Sequence, residues 1–322
     1  VGRPGIPAEQ LIKATLLQTL YSIRSERELC PQIQYNLLYR WFLDLPLDEK
    51  VWDHSTFSKN RERFAEHNLM ARFFQSSVVA AIKAEAASIE HFSVDGSLIE
   101  AWASMKSFRP KDEPAPPPDD DGPGAANRWV DWKGEKRGND THESKTDPEA
   151  RLARKGTGQA SLLGHSVHVL MDNRNGLIMD LDVRGADGHA EREAALEMLE
   201  RAASNRRLKP KTVGADKGYD DGGFLLDVAG LGIDPHVAIR EGTIVVQDAQ
   251  SAARLKGMLR QKEEGYTISQ RCRKRVEEIF GWLKTVAGLR KTRFVGQWKT
   301  RLYALAAGAT WNLLRLCNLA AA

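Results

Sequence analysis

This sequence predicts a mixed α/β sheet covered by helices and preceded by a small all-helical segment, and three observations lead there. Apolar residues recur at helical spacing from about residue 7 to residue 87. At residue 90 the pattern switches to the period-two alternation of a strand. From there to the C-terminus, strand-like runs and amphipathic helical runs alternate. A helical stripe and a sheet face each need an apolar partner, and packing one on the other satisfies both. The chain therefore divides into an N-terminal helical domain, residues 1–88, read as a DNA-binding or dimerisation unit, and a sheet-containing catalytic domain, residues 89–322.

Composition sets the outer limits. The 322 residues are 42% apolar and 28% charged. That suffices for one large domain or two ordinary ones, and excludes wholesale disorder, collagen and coiled coil. No run of 18 apolar residues is present, and no charged start precedes an apolar segment, so neither a membrane span nor secretion is expected. Cys30, Cys272 and Cys317 are odd in number and far apart, which supports neither a disulfide framework nor a structural zinc site. A reducing bacterial cytosol, with association to the nucleoid, is the expected setting. The chain starts Val-Gly-Arg-Pro, which leaves room for a natural N-terminus ahead of it. Net charge is only +4, yet residues 251–301 hold 14 Lys/Arg against four Asp/Glu. A basic block in a near-neutral chain is an electrostatic footprint for a polyanion.

The elements follow in order. Pro7 suits a first helical position, and Leu11, Ala14, Leu17 and Gln18 continue at helical spacing. Ser25 with Glu28 three residues on forms a capping box, opening a second helix through Leu37, Leu38, Trp41 and Phe42. Ser55 or Thr56 starts a third helix ending near Phe64, and residues 69–87 make a fourth. His91–Ser97 alternates, with Phe92 and Val94 on one face and Ser93, Asp95 and Ser97 on the other. Six of the 13 prolines fall between Pro110 and Pro123, beside Asp119, Asp120 and Asp121. Residues 107–160 accordingly read as a mobile loop, with a basic tail at 151–156 able to order on nucleic acid. Strands resume at 165–171 and, after a turn at 173–176, at 177–183. A helix at 190–203, a strand at 212–215, a helix at 222–229 and a strand at 235–239 come next. Helices at about 248–262, 270–287 and 300–318 complete the chain.

Three carboxylates stand out by position. Asp95 lies on the polar face of a strand, where Asp is a poor fit. Asp216 ends a strand, and open sheets place their ligands beyond the carboxyl ends of strands. Glu277 follows Arg273 by four residues and precedes Lys284 by seven, so at about 100° per residue all three fall within roughly 40° on one stripe. Three hard-oxygen acids gathered from two strands and a helix repel one another without a cation, and Mg²⁺ or Mn²⁺ suits such ligands. Two ions about 3.5–4 Å apart stabilise the attacking and leaving oxygens of phosphoryl transfer. Basic residues beside the acids, namely Arg273, Arg275, Lys284, Arg290, Arg293 and Lys217, are the expected contacts to a phosphate backbone. The chemistry that fits is nuclease action or strand transfer.

At these residues the sequence resembles a family, the DDE transposases of bacterial insertion sequences, in the insertion-sequence-five group. The segments that carry the resemblance are Asp53-His-Ser-Thr-Phe-Ser-Lys-Asn60, Val94-Asp-Gly-Ser97, Ser144-Lys-Thr-Asp-Pro-Glu-Ala-Arg151, Gly214-Ala-Asp-Lys-Gly-Tyr219 and Arg273–Lys284 with its R-x3-E-x6-K pattern. A related group carries Tyr seven residues before the Glu, where this chain has Gln270. The resemblance implies an RNase H-like core and a metal-binding triad of Asp95, Asp216 and Glu277. It also implies cleavage at the terminal inverted repeats of a mobile element and joining to target DNA, by a homo-oligomer, a dimer, assembled on DNA.

Other residues have plainer readings. His165 and His168 are three apart on a strand, hence on opposite faces, and read as structural. Glu278 lies about 100° round the helix from Glu277. Asp220 and Asp221 read as helix caps. His54 reads as a cap or packing residue. Trp129 and Trp132 can stack on bases, and Trp282 reads as packing. Residues 55–64 suit either a DNA-reading helix or an ordinary bundle. Two other functions remain open at this point: a non-catalytic DNA-binding protein of a decayed element, and a metal-dependent nuclease without strand transfer.

Overall fold

The computed structural model describes residues 5–112, 137–154, 158–187 and 190–321. Five helices open the chain: α1 (Ala8–Leu20), α2 (Glu26–Tyr35), α3 (Leu37–Phe42), α4 (Ser55–Glu66) and α5 (Leu69–Lys83). Ser25 caps α2 by accepting from the Glu28 N–H at 3.2 Å, and the Glu28 carboxylate turns back to the Arg24 N–H. The second predicted helix is in fact two. Asn36 leaves the helix at φ −91°, ψ 109°, and its side chain accepts from the N–H groups of Leu38 and Tyr39. Asn competes for backbone donors in this way, so it makes a better cap than helix interior.

The sheet begins with β1 (His91–Glu100). Strands β2 (Phe108–Pro110) and β3 (His142–Ser144) form a separate two-stranded sheet, and β4 (Arg151–Ala153) pairs with the edge of β5 (Leu162–Asp172). The expectation of one mobile loop over 107–160 is corrected here. Its ends are ordered by pairing, and Asp147 is fully buried, accepting from His165 Nε2 and from the Gly296 N–H, both at 3.2 Å. Arg151–Ala153 is a paired strand and not a free basic tail. Pro114–Pro123, the three adjacent aspartates, Trp129, Trp132, Lys155 and Gly156 lie outside the described residues.

β5 runs antiparallel to β1 from Phe92↔Asp172 to Glu100↔Gly164, and β6 (Ile178–Gly185) pairs antiparallel with its other edge. Past α6 (Ala190–Ser204), strand β7 (Thr212–Ala215) lies parallel to β1. After α7 (Gly222–Gly230), β8 (Asp234–Val237) lies parallel to β7. The sheet has six strands: β5, β1, β7 and β8 lie side by side, β4 and β6 both pair with β5, the pairs β4–β5, β6–β5 and β5–β1 are antiparallel, and β7 and β8 are parallel additions beside β1.

Helices α8 (Ala249–Arg260), α9 (Glu264–Arg273), α10 (Val276–Thr285) and α11 (Gln297–Ala320) complete the chain. The predicted long helix over 270–287 is thus interrupted at Lys274 and Arg275. The chain is anchored on both sides of that turn. Gln270 bonds to strand carbonyls, and Arg275 donates to the carbonyls of Asn173 and Arg174. Side-chain alternation shows which helices cover which face. Asp95 and Ser97 meet α9 and α10, whereas Gly96 and His168 point at α6. α11 lies on the α9–α10 side, where buried Asn312 bonds both the N–H and the carbonyl of Ile178. One apolar cluster runs from Leu11 and Ile33 through Phe92, Val169 and Val213 to Ala309. Among the described residues no helix is long and apolar enough to cross a membrane.

Candidate active site

The site lies where β1 and β7 part. Their pairing ends at Ser93↔Gly214. Two residues further along each parallel strand come Asp95 and Asp216, side by side in the opening. β1 has β5 on one flank and β7 on the other, so this is the switch point at which open sheets bind ligands. Both acids are only partly exposed. Asp95 Oδ1 accepts from the Gly96 N–H at 2.8 Å, and Asp216 Oδ1 accepts from the Gly218 N–H at 2.7 Å. Burial above all, and then the Asp216 charge, push the Asp95 carboxyl up to about 6, against the Gly96 N–H and Arg273, which hold it down. A raised acid beside a second acid is the electrostatic mark of a site built for a cation.

Arg273 Nη1 stands 3.5 Å from Asp95 Oδ2. Gln270, at the position where the related group carries Tyr, explains its placement. Gln270 Nε2 donates to the carbonyls of Ala215 and His236 at 3.0 and 2.6 Å, clasping β7 and β8, while its oxygen accepts from Arg273 Nε at 3.2 Å. Lys284 Nζ donates to Ser97 Oγ. Arg273 and Lys284 therefore both reach the polar face of β1. Glu277, between them in sequence, is exposed in the first turn of α10. Among the described residues no hydrogen bond or ion pair joins it to Asp95 or Asp216. Glu278 is also exposed.

The remaining basic candidates separate. Lys217 and Arg290 are exposed. Arg275 is occupied with turn carbonyls. Arg293 is occupied too: it donates to the Arg24 carbonyl and to Gln18, and stacks over Tyr303 at 4.6 Å. It fastens the N-terminal helices to α11. Asp221 caps α7, accepting from the Phe224 N–H. Asp220 does not cap, contrary to expectation. Its carboxylate is paired with Arg254 at 2.8 Å and accepts from the Arg240 N–H. His165 and His168 are both buried, bonded to Asp147 and Ser166. His54 precedes α4 without a capping bond, and Trp282 packs on Trp311.

Two residues near the acids escaped the sequence reading. Tyr219 is 1% exposed, and burial with the charges of Glu191, Asp95 and Asp216 raises its hydroxyl well above the ordinary range. Glu191 is raised by burial and then by the Asp216 charge. An acid in the first turn of a helix is what the helix dipole favours anywhere, so its sequence position carries no separate signal. A cavity of about 580 Å³ opens beside these groups, with Gly96, Ser97, Asn139, Arg154 and Glu191 in its wall. Among the described residues no three His, Cys, Asp or Glu side chains lie close enough to hold one ion together.

Strand order and the paired acids at the switch point define the RNase H-like class. The sequence matches the family model described as Transposase DDE domain over residues 128–313, and that described as Transposase domain (DUF772) over residues 1–63. The first match covers more than half of the chain, which belongs to the DDE transposase family. No curated protein matches the sequence significantly. Among solved structures, the Mos1 transposase paired-end complex with left transposon end is 10% identical, covering 92% of this chain and 83% of that one at a TM-score of 0.21. A pre-cleavage Mos1 transpososome is 8% identical, covering 90% and 100% at 0.23. The Mos1 strand transfer complex is 11% identical, covering 91% and 82% at 0.23.

Proposed function

We propose that this transposase cuts DNA at the terminal inverted repeats of a mobile element and joins the ends to target DNA, with Asp95, Asp216 and Glu277 as its metal-binding carboxylates. The observation that carries the reading is the adjacency of Asp95 and Asp216 in the opening between β1 and β7. Their donor set fits a hard divalent cation, Mg²⁺ or Mn²⁺. Mg²⁺ ordinarily takes one or two protein carboxylates and completes its shell with water and substrate phosphate. Bound there, two such ions supply positive charge to the attacking and leaving oxygens of the phosphodiester. Glu277 is the third acid, carried on the helix whose Lys284 reaches Ser97. Lys217 and Arg290 are exposed and free to meet the DNA backbone, and the N-terminal helices, residues 1–88, contribute DNA binding or dimerisation.

The test is an assay on labelled element-end DNA with Mg²⁺ that scores cleavage and joining separately. Wild type should yield both products. Asp216→Asn, which removes a charge at nearly constant volume, should abolish both and still bind the ends. Strand cleavage retained by that variant would sink the role of Asp216. Cleavage without joining by wild type would reduce the protein to a nuclease.

A further inference from the structure

Helix α3 reverses the usual sorting of side chains: its one charged residue is buried and its apolar ones face solvent. Arg40 is 2% exposed and donates to the carbonyls of Pro46 and Glu49, and Tyr39 and Leu43 are buried with it. Trp41 is 75% exposed, and Leu37 and Leu38 are more than half exposed. The two leucines stand four and three residues before Trp41, so all three share one face of the helix. Tyr35, at the end of α2, is 84% exposed. With Pro31, Gln32 and Leu37 it lines an open notch of about 550 Å³ where α2 meets α3. Leu47, also more than half exposed, follows the Pro46 carbonyl that Arg40 holds. A buried charge and a group of exposed large apolar residues are the two departures from ordinary burial that call for an explanation.

Area indicates that this face is covered in use. With about 150–250 Å² for each aromatic side chain, Tyr35, Leu37, Leu38, Trp41 and Leu47 together leave on the order of 800 Å² open to solvent. The largest apolar patch of an ordinary monomer is about 300–600 Å², whereas a stable protein interface takes about 800 Å² from each partner. Charge decides the class of partner. Between Leu29 and Leu47 the only charged residues are Arg40 and Asp44. Arg40 is buried, and Asp44 is paired with Lys13 at 2.6 Å. DNA binding draws on cations that neutralise phosphates, and this stretch offers none at its surface. A neutral apolar face can instead meet its own copy across a twofold axis, with no like charges brought together. Exposed charges of both signs flank the stretch in sequence, Arg27 and Glu28 before it and Asp48 and Lys50 after it, as suits the polar rim of an interface.

We propose that the face formed by Tyr35, Leu37, Leu38 and Trp41, with Leu47 beside them, is a dimerisation surface whose partner is the same face of a second copy of this chain. The proposal rests on the reading of residues 1–88 as a DNA-binding or dimerisation unit, and chooses dimerisation for α2 and α3. Tyr35 and Trp41 are its anchors, because binding energy at interfaces concentrates in a few aromatic side chains that become fully desolvated. A twofold axis brings each residue of the face into the interface twice, so a single substitution acts from both copies.

The test is sedimentation equilibrium of the full chain, without DNA, over the micromolar range. Wild type should be a dimer. Trp41→Glu puts a charge on the face in each copy and should raise the dissociation constant at least ~30-fold. Leu38→Lys should act in the same direction. Both side chains are exposed in the single chain, so the circular dichroism of each variant should match wild type. Trp41→Ala, which adds no charge, reads the same interface should either charged variant fail to fold. Val246→Glu, at an exposed apolar residue far along the chain from α3, should leave the dimer intact. A wild type that is monomeric throughout overturns the proposal, and so does a dimer that persists in the Trp41 and Leu38 variants. Equal weakening by Val246→Glu overturns it as well. Binding to labelled element-end DNA is measured alongside. If Trp41→Glu binds that DNA more weakly with its assembly unchanged, the face is a DNA contact: dimerisation through it is refuted and the reading of residues 1–88 survives. If neither assembly nor DNA binding changes in any variant of the face, that reading fails for α2 and α3 too.

Discussion

Asp95 bears a cost that its function explains. Its carboxyl is raised to about 6 in the fold, whereas an unfolded Asp titrates near 3.9. The folded state thus holds the proton more tightly. The stability this contributes is fully present below about pH 4 and is lost as pH rises through about 6. At neutral pH the metal-free protein keeps a buried charge beside Asp216. Asp95→Asn should therefore stabilise the metal-free protein at pH 8, by up to roughly 3 kcal/mol, and flatten the loss of stability between pH 5 and 8. Denaturation curves at the two pH values check both. A variant no more stable than wild type at pH 8 would show that Asp95 is adequately solvated. Gly96 carries a steric requirement at the same place. Gly96→Ala should lower the melting temperature, because its methyl would meet the Glu191 carboxylate at 2.7 Å and the buried His168 ring at 2.9 Å. An unchanged melting temperature would show that both neighbours give way without cost.

The elements are held to the site by side-chain amides, one half-buried and one fully buried. Gln270 clasps the ends of β7 and β8 and steadies Arg273, so Gln270→Leu should cost about 1–3 kcal/mol by removing its hydrogen bonds to the carbonyls of Ala215 and His236. It should also loosen Arg273 from Asp95. The checks are a urea denaturation curve and the catalytic rate at saturating DNA. Asn312 does similar work on the other flank. It is 0% exposed, bonds both backbone groups of Ile178, and donates to Ser77 Oγ. Asn312→Leu should destabilise by about 1–3 kcal/mol without altering Mn²⁺ affinity. An effect on affinity would mean that β6 transmits strain to the acids. The split of the 270–287 helix belongs to this scale as well. Helical periodicity runs straight through Lys274 and Arg275, and only the bonds made by Gln270 and Arg275 mark the turn.

Across the whole molecule, the basic block is less uniform than its charge count implies. Lys217 and Arg290 are exposed, whereas Arg293 joins the N-terminal helices to α11. Removing Lys217 and Arg290 together should weaken binding to all DNA sequences alike. It should flatten the salt dependence by roughly 0.9 in the log–log slope for each duplex phosphate that is no longer neutralised. Arg293→Ala should instead leave that slope unchanged and lower the melting temperature. A salt titration beside a melting curve separates the two. If Arg293→Ala flattens the slope, its buried contacts are not what hold it.

Sequence alone determined the order and kind of most elements, because period-two and period-3.6 burial are local consequences of one apolar face. It also singled out Asp95 and Asp216, since a carboxylate on or after a strand conflicts with local propensity and so signals itself. Tertiary structure decided what local pattern does not encode. The register of β1 on β7 put Asp95 beside Asp216, and the long-range pairing of β4 with β5 ordered a segment that composition marked as linker. The turn at Lys274–Arg275, fixed by bonds to distant carbonyls, left Glu277 exposed. Glu191 was invisible in the sequence because an acid in a first helical turn is favoured by the dipole of any helix. Only the packing of α6 on the sheet brings the start of that helix, and with it Glu191, beside Gly96 and Gly218.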